Sequence, residues 1–167
     1  PEARRKEAIA AGSVLQESFT GMYTFVGDSK PISSDATKLV LNNTWLSSLE
    51  VTGMDGIPEL RNAGNVLRPY TTLKIALRLP PTTDAVNAQT ELNKLLTSNT
   101  PYATRVTFTS DGANTGWHAP ITASHLERSM QNASEAYFGA EAISMGCGGT
   151  IPFMEFLANK LPKAQFL

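Results

Sequence analysis

Two hydrophobic periodicities divide the chain. Between residues 72 and 79, Leu73, Ile75, Leu77 and Leu79 alternate with Thr72, Lys74, Ala76 and Arg78. Period two predicts a strand with one buried face and Arg78 on the other. Pro80 and Pro81 end it, because neither can donate to a ladder. Asp84 then offers a helix cap, and Ala85, Ala88, Leu92, Leu95 and Leu96 fall on one helical stripe. Asn99 to Pro101 breaks that helix. Val106 and Phe108, alternating with Arg105, Thr107 and Thr109, predict a second strand. A strand, a helix and a strand in this order make half of a split α+β sandwich.

The flanks read differently. Residues from Glu2 to Gln16 are rich in Ala, Arg, Lys and Glu, which favours helix. Gly27 to Ser34 reads as loop, Lys38 to Trp45 as a short helix, and Leu49 to Val51 as a strand stopping at Gly53. An irregular connection runs from Met54 to Asn65. After the polar stretch Ser110 to Gly116, Leu126, Met130, Ala133 and Tyr137 mark an amphipathic helix that stops at Gly139. A strand at Ala142 to Met145, a helix from Pro152 to Leu161 and a strand from Ala164 are expected after it. That alternation suits an α/β layer with a parallel sheet. The chain thus reads as α+β with two parts, 1–114 and 115–167, the second too small to close a sheet of its own.

Composition narrows the function classes. The 167 residues carry a formal net charge of −1, so no basic field points to nucleic acid or to an anionic membrane. No apolar run has the length of a membrane span. Cys147 is the single cysteine, which excludes an intrachain disulfide and fits a reducing, cytoplasmic setting.

Candidate chemistry is sparse. His118 and His125 are separated by Pro120, so no one helix presents both. His125 falls on the helix side away from Leu126 and reads as a surface histidine. His118 follows Trp117 in a loop. There is no His-x-Asp, Glu-Glu or Cys-x-x-Cys cluster, so the chain alone makes no metal site. A nucleophile elbow is missing too, and Cys147 reads as a structural thiol. The run Gly146-Cys147-Gly148-Gly149-Thr150-Ile151-Pro152 is either an anion-binding helix start or a plain tight turn. Arg78 is either a bidentate carboxylate clamp or half of a surface ion pair.

Two motifs in order carry a resemblance. Asn65-Val66-Leu67-Arg68-Pro69 leading to Lys74-Ile75-Ala76-Leu77-Arg78-Leu79-Pro80 resembles the end of the lid, or dimerisation, domain of the co-catalytic zinc peptidases. That family includes carnosinase, glutamate carboxypeptidase and succinyl-diaminopimelate desuccinylase. Gly148-Gly149-Thr150-Ile151-Pro152 resembles the turn made where that family's chain re-enters its catalytic domain.

The resemblance implies part of a ferredoxin-like lid, preceded by a helical region and followed by an incomplete α/β piece of the catalytic domain. It also implies a parent enzyme that hydrolyses a peptide or N-acyl amino acid with two zinc ions and dimerises through its lid. The zinc ligands and the catalytic glutamate would lie outside this chain, leaving it inactive alone. By the same resemblance Asn65 supports the scissile carbonyl, Arg78 holds the substrate carboxylate, and Gly149 and Thr150 contact that same end. Cys147 departs from the pattern, since carnosinase-type members carry Glu there. Two rival readings are a stand-alone dimerisation module and an unrelated small-molecule-binding α+β domain that uses Arg78 and the glycine turn.

Overall fold

A computed structural model describes residues 1–148 and 151–167. Helix α1 spans Glu2–Gly21 and packs on α2, Ala36–Thr44. The two cross where their side chains are small: a Cβ on Gly12 would lie 2.9 Å from the Thr37 backbone nitrogen. Ala8, Ala11 and Val40 are buried at this crossing, with Leu15 and Leu41 around them. The Asp35 carboxylate accepts from the Lys38 amide at 3.3 Å and starts α2.

The next elements form a two-stranded antiparallel sheet, β1 (Ser48–Asp55) paired with β2 (Thr72–Arg78). The expected strand at 49–51 therefore does not stop at Gly53. It passes through a bulge: Val51 pairs with Ile75 and Gly53 with Lys74, leaving Thr52 as the extra residue. Ser48 pairs with Arg78, so Arg78 ends its strand beside the start of β1.

Helix α3 covers Ala85–Thr97, capped by Asp84, whose carboxylate accepts from the Asn87 amide at 2.9 Å. Helix α4 covers Ser124–Phe138 and ends at Gly139, whose left-handed conformation (φ 67°) suits a residue without a Cβ. Helix α5 covers Pro152–Lys160.

Three expected strands are corrected. Residues 105–109, 142–145 and 164–167 carry no ladder among the described residues, and with them goes the parallel sheet expected of the last third. Alternation prepares a segment for pairing, but a strand also needs a neighbour to bond to. The 105–109 run lies along the same cleft as β2, and just beyond it Asp111 meets Lys74 at 3.0 Å. No ladder joins the two.

The buried face expected of β2 is open as well. Leu73 is 49% exposed, and only Ile75 is partly covered within the strand. On the helical stripes, Leu95 and Tyr137 stand free. No described helix is long and apolar enough to cross a membrane.

Candidate functional site

The residues singled out from sequence converge in part. At the end of β2 the Arg78 guanidinium donates from Nη1 to the Gly148 carbonyl, across 70 residues of sequence. Gly148 has to be a glycine there, because a Cβ would overlap the Asn43 carbonyl oxygen near the end of α2. Gly146 passes beside the Thr44 side chain, with a Cβ position 3.4 Å from the Thr44 Cβ. The 146–148 run is thus threaded between the C-terminal end of α2 and the end of β2. Glycines at both positions allow that approach.

Farther back, the Gln131 side chain on α4 holds the same segment from its other end. Its Nε2 donates to the Ala142 carbonyl and its Oε1 accepts from the Ala142 amide, both at 2.9 Å. Among the described residues, these and the Arg78 contact are the hydrogen bonds that tie 140–148 to the rest of the chain.

Cys147 lies exposed between the two glycines. Arg78 is exposed too, and one guanidinium makes five N–H bonds available. The Gly148 carbonyl engages Nη1 and fixes the fork, and among the described residues the other nitrogens have no hydrogen-bond partner and are available to a planar carboxylate.

Other expected residues lie elsewhere. Asn65 is exposed in the connection between β1 and β2 and, among the described residues, makes no hydrogen bond to Arg78 or to the 146–148 run. Gly149 and Thr150 lie outside the described residues. His125 is exposed on α4, and its backbone carbonyl accepts from the Ser129 hydroxyl at 3.0 Å. Among the described residues, no three His, Cys, Asp or Glu side chains gather closely enough to hold a metal.

His118 has a more particular setting than its loop suggested. Its ring meets Trp45 edge-on, with centroids 5.3 Å apart. Arg4 of α1 sits nearby, bonded to Glu7 at 2.7 Å and donating to the neighbouring Ala119 carbonyl at 2.7 Å. Desolvation, then the positive charge of Arg4, lowers the His118 pKa from the ordinary imidazole value, while Glu7 opposes the shift. A guanidinium beside the ring also disfavours a bound cation. The residues present do not fit a zinc ion.

Sequence reasoning singled out Gly148 within the glycine run but missed Gln131 and Asn43. Nothing in the sequence pointed to these two, because their roles depend on which segments the fold brings together.

The fold is similar to part of a known dipeptidase fold. The chain is similar to the crystal structure of human carnosine dipeptidase 1, with a TM-score of 0.56 and 17% sequence identity. The match covers 86% of this chain and 30% of that one, so the chain spans about a third of the neighbour's length. No family model and no curated protein matches the sequence.

Proposed function

We propose that this chain is the substrate-binding and dimerisation portion of a zinc-dependent peptidase, a dipeptidase or aminoacylase-like amide hydrolase, and that it does not hydrolyse amides alone. The supporting observation is the structural match to about a third of a dipeptidase, in a chain whose own apolar faces stay open. In this reading Arg78 binds the carboxylate of a peptide or N-acyl amino acid. The glycine turn, with Gly149 and Thr150, lines the same end of the substrate, and Asn65 supports the scissile carbonyl, from a neighbouring subunit in the homodimer. The two zinc ions belong to polypeptide outside this chain. What these residues contribute is orientation and charge complementarity, which lower a barrier by holding the reacting amide in place.

The reading frame that encodes the chain tests the proposal directly. It should also encode a His-x-Asp motif and a Glu-Glu pair upstream, and a frame without them would remove the peptidase reading. The purified 167-residue chain with added zinc should release no amino acid from a dipeptide above background. Zinc-dependent turnover by this chain would contradict its assignment as a binding portion.

A further inference from the structure

We propose that Gln131 is a positioning residue for the carboxylate site, an inference that rests on the peptidase reading above. Residues 140–148 have no backbone partner among the described residues. Two polar attachments bracket their path, with the close approach of Gly146 and Gly148 to Thr44 and Asn43 near its end. At one end the Gln131 amide closes a two-way pair with the Ala142 backbone, both bonds at 2.9 Å. At the other, the Gly148 carbonyl accepts from Arg78.

A side-chain amide is well suited to the first attachment. It presents one donor and one acceptor side by side, as a neighbouring strand would, and so stands in for the missing ladder at a single residue. Ala142 is partly buried, so an amide left without its partner there would be penalised. Six residues on, the carbonyl of Gly148 sets the rotation of the Arg78 fork. The orientation of the guanidinium therefore depends on where Gln131 holds the segment. Gln131 acts only through the turn.

The experiment compares Q131A and Q131M in the full-length polypeptide, the second keeping bulk while removing both hydrogen bonds. Steady-state kinetics on a dipeptide and on its C-terminal amide supply the readout. Loss of the clamp should raise KM for the free-carboxylate substrate by about tenfold, as expected for misaligning one charge-assisted contact. The amide's KM and both kcat values should stay within about twofold, since a single well-placed contact is all that changes. Equal losses on both substrates, or no change with Q131M, would overturn the role. If Q131A fails to fold, the Q131M result decides.

R78A in the same assay separates the two levels. A variant that discriminates between acid and amide while Q131M does not leaves the carboxylate site standing and removes Gln131 from it. Where R78A itself shows no discrimination, the peptidase reading of the site fails and the inference goes with it.

Discussion

At the residue scale, the proposed reading gives Arg78 two tasks that a lysine would not combine. One nitrogen is committed to the Gly148 carbonyl; the rest of the fork remains planar and charged for a carboxylate. Arg78→Ala in the full-length polypeptide should therefore cost about 2 kcal/mol of binding for free-carboxylate substrates, roughly 30-fold in KM. Amidated substrates should be nearly unaffected, and parallel losses on both would remove the clamp. Gly148→Ala should reach the same end by another route, because its methyl would displace the turn from Asn43. His118 offers a separate test. Its depressed pKa means that the folded chain prefers the neutral ring. Its contribution to stability is present above the unfolded value of about 6.5 and is lost as pH falls through the lower folded value. An NMR titration should place the midpoint below that of a free imidazole. Arg4→Ala should raise the midpoint and Glu7→Gln should lower it; a midpoint indifferent to both would place the ring outside their field.

At the element scale, legibility followed how local each cause was. Helix boundaries were readable where a single residue sets them: Asp84 before α3 and Gly139 after α4 cap where expected. The alternation through β2 was readable for the same reason. The runs at 105–109 and 142–145 carried strand-like composition but lacked a partner, and pairing is a property of two segments. The Arg78–Gly148 contact was half legible, since both residues stood out as types while their meeting depends on the path of the intervening chain. The α1–α2 crossing was not foreseen. It rests on Gly12 lying against the Thr37 backbone, where neither surface can yield by rotating a side chain. Gly12→Val should therefore force the helices apart and cost about 1–3 kcal/mol. The signature would be faster amide exchange in both α1 and α2, with β1 and β2 unaffected. Unchanged protection in α2 would show that the helices do not rely on this crossing.

For the whole molecule, the decisive quantity is surface. The chain exposes 13275 Å², against about 8,000 Å² for a folded monomer of its 18.0 kDa mass. The chain leaves large apolar side chains uncovered: Leu73 and Leu77 on β2, Leu95 on α3, Tyr137 and Phe138 on α4, Phe153 and Phe156 on α5. An open cleft of about 2520 Å³ runs between these elements, well above the roughly 300–1,000 Å³ of a small-molecule pocket. A stand-alone small-molecule-binding domain would need a closed core, so this open geometry counts against that rival. The consequence is measurable on the isolated chain. It should bind a hydrophobic dye such as ANS under native conditions, associate as its concentration rises, and unfold in urea with a slope well below that of a compact 167-residue domain, because little surface remains to be exposed. On the proposed peptidase reading, adding the rest of that polypeptide in trans should suppress dye binding and steepen the transition by covering β2 and filling the cleft. A sharp cooperative transition in the isolated chain, without dye binding, would mean that these faces find each other unaided, and the portion reading would lose its physical basis.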